Sequence, residues 1–161
     1  QEQCHLADIV AACVRQLERS RAGSGHAIES DVPLDLPEIF VDYDQVSRVM
    51  TNLLSNAFKY SPNGSTVVVC SRLEDGDPTT IVTEVKDSGV GIPEDDRPSI
   101  FDKFFRVTSQ RGRGRPGSGL GLAICKAIID AHEGRIWVET EEGRGSTFYF
   151  TLPVSAHNGD A

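Results

Sequence analysis

The stretch Gly117-Ser-Gly-Leu-Gly-Leu122 constrains this chain most. It follows an arginine-rich loop and opens a segment whose apolar positions are Leu120, Ala123, Ile124, Ala127, Ile128 and Ala131. Their i, i+3, i+4 spacing predicts a helix with one buried face. Glycines at a helix start let the backbone approach a ligand closely, and the free N–H groups there attract phosphate. A tight loop that merely enters a helix has the same pattern, so the other motifs must decide.

A chain of 161 residues is one domain of ordinary size, able to bury a core. A formal charge of −8 argues against nucleic-acid binding. Basic residues nevertheless gather in one loop, where Arg106, Arg111, Arg113 and Arg115 fall close together. A positive loop on an acidic body suits a small anionic ligand, although a solvated loop is the plainer reading. No apolar run approaches the roughly 20 residues that cross a bilayer, and no secretory pattern opens the sequence. Cys4, Cys13, Cys70 and Cys125 lack metal-type spacing and read as reduced thiols of a cytoplasmic domain.

In chain order, Leu6, Ile9, Val10, Cys13, Val14 and Leu17 predict an amphipathic helix ending near Ser20. Weak strands are expected over 26–32 and 38–41. Asp42 and Gln45 form a capping-box-like pair before a second helix, whose apolar positions are Val46, Val49, Met50, Leu53, Leu54, Ala57 and Phe58. Gln45, Arg48, Asn52, Asn56 and Lys59 share its polar face. Strands over 66–73 and 81–86 are joined by a turn at 74–78, and the second runs into Asp87-Ser-Gly-Val-Gly-Ile92. A short acidic helix or loop from Pro93 and an aromatic cluster at 100–105 follow. Gly134 is placed as the C-terminal cap of the glycine-box helix, before a hairpin of strands 135–140 and 146–152. The tail after Pro153 is expected to fray. Strand pairs interleaved with three helices predict a sheet with helices on one face.

Two groups of residues carry chemistry. Asn52 and Asn56 lie one helical turn apart, so their amides point the same way. An amide oxygen can ligate Mg²⁺, which usually keeps waters and substrate phosphates, and Lys59 a turn further on can meet a phosphate. Most such faces are only solvated, yet two asparagines in one helix interior ask for a reason. Asp87 at a strand end can accept from an exocyclic amine, and the glycines after it leave room for a flat ring. An ordinary Asp-Ser-Gly turn has the same residues.

Together these motifs resemble the catalytic ATP-binding domain of sensor histidine kinases. Residues 52–60 look like the N box, 87–92 like the first glycine box and 101–106 like the F box. Residues 117–122 look like the second glycine box, and 143–147 like the last. The resemblance spans 6–154 and reaches the wider group of gyrase B, Hsp90 and MutL. It implies an α+β, two-layer α/β sandwich of the Bergerat type, with a mixed, mostly antiparallel sheet covered on one face by three helices. One domain over 1–154, a lid at 107–116 and a disordered tail at 155–161 are expected.

By position, Asn56 would ligate Mg²⁺ with Asn52 nearby, and Lys59 and Tyr60 would approach the phosphates and nucleoside. Asp87 would read the adenine amine, with Gly89, Gly91 and Ile92 lining the base. Arg106 and the lid arginines would lie near the phosphates. Gly117, Ser118, Gly119, Leu120, Gly121 and Leu122 would offer backbone contact to them. Thr147 would sit beside Asp87, although the last box reads Gly-Arg-Gly-Ser-Thr, so either Ser146 or Thr147 takes that role. Arg48 stands where a glutamine is common.

No histidine has the phosphoacceptor context, neither His5 nor His26, His132 or His157. The resemblance therefore implies a domain that uses Mg²⁺ and ATP to phosphorylate a histidine on a separate dimerisation domain of the same protein, with a response regulator downstream. It also implies a monomer in isolation, with no nucleic acid and no direct membrane contact. Hydrolysing relatives carry a glutamate where Asn52 stands, so hydrolysis without a partner should be slow. Three other readings stand beside this one, among them a serine-directed kinase of the same fold, which the acid lability of the phosphoprotein separates. A dinucleotide fold wants a strand before Gly117 and a small residue at Leu122. A non-catalytic nucleotide-sensing module of the same fold would carry the same boxes.

Overall fold

The computed structural model describes residues 1–20, 25–62, 64–103, 121–141 and 143–156. Its elements in order are β1 (Glu2–Cys4), α1 (Leu6–Ser20), β2 (Ala27–Asp31), β3 (Ile39–Val41), α2 (Tyr43–Tyr60), β4 (Thr66–Glu74) and β5 (Asp77–Asp87). A 3-10 helix (Glu94–Ser99), α3 (Gly121–Ala131), β6 (Ile136–Glu141) and β7 (Gly145–Pro153) complete the chain. Five strands form one sheet in the order β2-β4-β5-β7-β6. Only β2 and β4 run parallel; the other pairs are antiparallel. β1 and β3 form a separate antiparallel pair, and Ile39 bridges from it to Val154.

The sheet's inner face carries Val67 and Val69 from β4, Ile81 and Val85 from β5, and Phe148, Phe150 and Leu152 from β7. Each set alternates along its strand, as a half-buried pleat requires. α2 packs between α1 and α3 and against β4 and β5. All seven of its predicted apolar positions are buried. Asp42 caps it by accepting from the Gln45 amide at 3.2 Å, which satisfies one unpaired donor of the first turn. On the outer face, which no helix among the described residues covers, Trp137 stacks on Tyr149 with centroids 5.1 Å apart. No helix among the described residues is long and apolar enough to cross a membrane.

The mixed sandwich is as expected, but five details differ. The β4–β5 hairpin is tighter, because Glu74 pairs with Asp77 and Pro78 already lies in the strand. β1 was not foreseen; it is short, and its partner β3 lies beyond α1. The buried face of α3 is Cys125, Ile128, Ile129 and His132, while Ala127 and Ala131 are exposed.

The α3 cap is also displaced by one residue. Glu133 takes the left-handed conformation (φ 61°), its amide donates to Asp130 O, and the Gly134 amide donates to Ile129 O at 2.9 Å. This is a Schellman closure with a glutamate where glycine is usual. Gly134 is needed for another reason: a Cβ there would lie 1.9 Å from the Thr151 carbonyl oxygen. Lastly, Ser155 is anchored rather than frayed, since its amide donates to Glu38 O at 2.7 Å and its hydroxyl accepts from Gln3.

Candidate functional site

The end of β5 delivers Asp87 to the inner face, where it is 7% exposed. Its Oδ1 accepts from the Gly89 amide at 2.9 Å and from the Ser146 amide at 3.3 Å. Burial pushes its carboxyl above the usual aspartate range, and these two N–H bonds only partly offset that. Two glycines make this packing possible. A Cβ on Gly89 would lie 2.3 Å from the Tyr60 carbonyl oxygen, and one on Gly145 would lie 2.3 Å from the Asp87 carbonyl oxygen. The loop after Asp87 thus presses on the last residue of α2.

The rest of that loop is held by the β6–β7 hairpin. Gly91 has φ 76°, Ile92 donates its amide to Thr140 Oγ1 at 2.9 Å, and Gly143 donates to Val90 O at 2.7 Å. The Ile92 side chain joins the core.

Asn52 and Asn56 lie half-buried on one side of α2. Asn52 donates to the Gly121 carbonyl at 3.4 Å, tying α2 to the first residue of α3. The Cys125 thiol lies beneath, against Asn52 and the Val49 carbonyl, and burial pushes it up to about 11. Gly121 is exposed, and a Cβ there would meet nothing within 4 Å among the described residues. The Leu122 side chain packs against the core. Lys59 sits in the last turn of α2, with Nζ 5.5 Å from the Tyr60 ring centroid. A cation there also suits the helix dipole. Arg48 is exposed, and its charge reaches the Cys125 thiol.

The structure therefore brings Asn52, Asn56, Lys59 and Tyr60 on α2 together with Gly121 at the start of α3 and, through Tyr60, with Asp87, Gly89, Gly91 and Ile92. It corrects one expected residue. Thr147 pairs with Lys86 and Glu139 on the outer face, whereas Ser146 pairs with Asp87 on the inner face. Arg106, Gly117, Ser118, Gly119, Leu120 and the expected lid at 107–116 lie outside the described residues. Thr140 was not singled out from the sequence; its place opposite Ser146 depends on the register of a hairpin. His132 is buried, accepts the Asp42 amide at Nε2 (3.1 Å) and approaches Ile128 O with Nδ1 (2.8 Å). Both ring nitrogens are engaged within the fold.

No three His, Cys, Asp or Glu side chains among the described residues group to hold a metal. A single amide oxygen such as that of Asn56 fits Mg²⁺, which takes its remaining ligands from waters and phosphates rather than from a protein cage.

A buried carboxylate at a strand end, a glycine loop closing on it and an asparagine-bearing helix beside a second helix start stand together in this α/β sandwich. The family described as "Histidine kinase-, DNA gyrase B-, and HSP90-like ATPase" matches residues 41–156, and the chain belongs to that family. Adaptive-response sensory kinase SasA of Prochlorococcus marinus is 37% identical over 95% of this chain and 39% of its own length. Sensor histidine kinase WalK of Bacillus subtilis is 42% identical over 74% of this chain and 20% of its own. The chain thus spans about two fifths of the first of these relatives. Among solved structures, the mycobacterial sensor histidine kinase MprB superposes with a TM-score of 0.81 at 29% identity, covering 94% of this chain and 96% of that one. The catalytic domain of histidine kinase ThkA gives 0.79 at 27%, with 94% of each covered. The sandwich is that of histidine kinase catalytic domains, and nucleotide binding is the property the family brings.

Proposed function

We propose that this domain binds Mg-ATP beside α2 and transfers the γ-phosphoryl group to a histidine on a separate phosphoacceptor domain of the same protein, with a response regulator downstream. The observation that carries the reading is Asp87. Both of its amide bonds end on Oδ1, so Oδ2 can accept from the adenine amine. Gly89 seats the loop against the end of α2, and Gly91 and Ile92 would line the base. The α3 start at Gly121 and Leu122 would offer backbone to the phosphates, and Gly117 and Gly119 would join it. Asn56 would hold Mg²⁺, which neutralises phosphate charge when bound. Lys59 and Tyr60 would meet the phosphates and nucleoside, and Arg106 and its loop would add cations.

Phosphoryl transfer needs positioning and charge neutralisation more than covalent help. The attacking imidazole nitrogen gains the phosphorus, the bond from phosphorus to the bridging oxygen breaks, and ADP leaves. Asn52 is no general base, and its amide is already tied to Gly121, so water is poorly activated. We place the domain in the cytoplasm, supported by four free cysteines, and as a monomer.

The test is calorimetric titration of ATP, with and without Mg²⁺, into the wild type and Asp87→Asn. Micromolar binding that weakens sharply in the variant supports the reading; binding indifferent to Asp87 sinks it. Radiolabelled ATP with a histidine-bearing dimerisation domain then tests transfer, which should yield an acid-labile phosphoprotein. Binding without transfer would instead favour a nucleotide-sensing module.

A further inference from the structure

Asp87, Ser146 and Thr140 form one row across β5, β7 and β6, because Ser146 is the register partner of both others. Thr140 Oγ1 meets three groups: the Ile92 amide at 2.9 Å, the Gly145 carbonyl at 3.1 Å and the Ser146 hydroxyl at 2.8 Å. A hydroxyl has one hydrogen and two lone pairs. The Ile92 N–H takes one lone pair. The Gly145 carbonyl can only accept, so it takes the hydrogen. The Ser146 hydroxyl must then donate to the second lone pair. This assignment satisfies all three contacts, and it leaves Ser146 Oγ with acceptor capacity alone.

We infer that Thr140 is a positioning residue for base selection. It pins the loop through Ile92 and aims the Ser146 hydrogen away from the site, so that Ser146 Oγ and the Asp87 carboxylate stand as two neighbouring acceptors. Such a pair suits an exocyclic amine, which has two hydrogens, and repels an exocyclic carbonyl. The inference rests on the reading that Asp87 receives the base. Apart from Thr140, the hairpin reaches this loop through the bond from the Gly143 amide to Val90 O. Loss of the hydroxyl would leave the Ile92 amide unpaired and free the Ser146 hydrogen to turn.

The experiment compares ATP with inosine triphosphate, which has a carbonyl in place of the amine, by calorimetry. It uses the wild type, Thr140→Val, Thr140→Ser, Ser146→Ala and Asp87→Asn, with thermal melting of each. The wild type should prefer ATP. Thr140→Val should lower that preference about three- to tenfold, the worth of one hydrogen bond, and Thr140→Ser should restore it. Ser146→Ala should show the same loss, which keeps the test decisive should Thr140→Val fail to fold. If Asp87→Asn collapses the preference while Thr140→Val only lowers the melting temperature, Thr140 is scaffold and the inference falls alone. If the wild type shows no preference and Asp87→Asn changes nothing, the base reading and this inference fall together.

Discussion

Ser146 stands directly opposite Asp87 in the β5–β7 ladder, and its amide donates to the Asp87 carboxylate at 3.3 Å. Thr147, one residue on, points to the other face beside Lys86 and Glu139. Paired strands alternate strictly, so only one of the two hydroxyls can face the site. Ser146→Ala should weaken ATP binding about three- to tenfold, because the hydroxyl tie to Thr140 is lost while the backbone bond survives. Thr147→Ala should leave affinity within about twofold, as surface changes away from such contacts usually do. Calorimetry on both variants checks this, and the reverse ranking would return the role to Thr147.

The raised carboxyl of Asp87 makes a pH prediction. Its folded-state value lies above its unfolded one, chiefly through burial. A group shifted this way contributes stability that is fully present below its unfolded value and lost as pH rises through the folded value. Asp87→Asn keeps an oxygen for the Gly89 amide but carries no charge. It should therefore be more stable than the wild type at neutral pH, and that advantage should shrink as pH falls through the raised Asp87 value toward the ordinary aspartate range. ATP affinity of the wild type should run the other way, weakening in acid earlier than an ordinary aspartate would titrate. Urea unfolding of both proteins from pH 7 down to pH 4 measures the gap. A gap that does not change with pH would mean the buried charge carries no such cost.

Much of this was legible because it is local. The α2 cap, its apolar stripe and the side shared by Asn52 and Asn56 depend on residues within a few turns. The Asp87 loop was legible for the same reason. The choice between Ser146 and Thr147 was not, because it depends on hairpin register. Two glycines with positive φ, Gly143 and Gly145, set that register in the turn. The buried face of α3 was misread because this helix is apolar nearly all round, and exposed Ala127 and Ala131 imitate a core stripe. Cys125, Ile128, Ile129 and His132 have the same i, i+3, i+4, i+7 spacing. The bridging role of His132 is not legible in the sequence, because its partner Asp42 is far away along the chain and next to it only in the fold.

That contact carries a stability prediction. His132 joins the end of α3 to the cap of α2, and its Nε2 must accept because the Asp42 amide can only donate. Nδ1 then carries the hydrogen to Ile128 O. His132→Ala leaves the half-buried Asp42 N–H without its partner and a hole where the buried ring stood. It should cost about 2–4 kcal/mol, read as a lower urea midpoint at an unchanged slope. His132→Gln, which can both donate and accept, should recover part of the loss. A His132→Ala protein with the wild-type midpoint would show the bridge to be idle.

Gly89 offers the sharpest separation of binding from folding. A methyl there would lie 2.3 Å from the Tyr60 carbonyl oxygen and 3.0 Å from Asp87 Oδ1. Neither can retreat easily: one is the last backbone group of α2, and the other holds the amide bonds of the loop. The cheaper response is for the loop to lift off the helix end, which removes Gly91 and Ile92 from their seats as well. Most of the core lies elsewhere, between α1, α2, α3 and the sheet. Gly89→Ala should therefore reduce ATP affinity at least about tenfold while lowering stability by about 1–3 kcal/mol, the usual cost of overpacking. Calorimetry and urea unfolding on one preparation give both numbers. Wild-type affinity in a destabilised Gly89→Ala protein would show that the nucleotide does not depend on where this loop meets α2, and the site would have to be sought elsewhere on the sandwich.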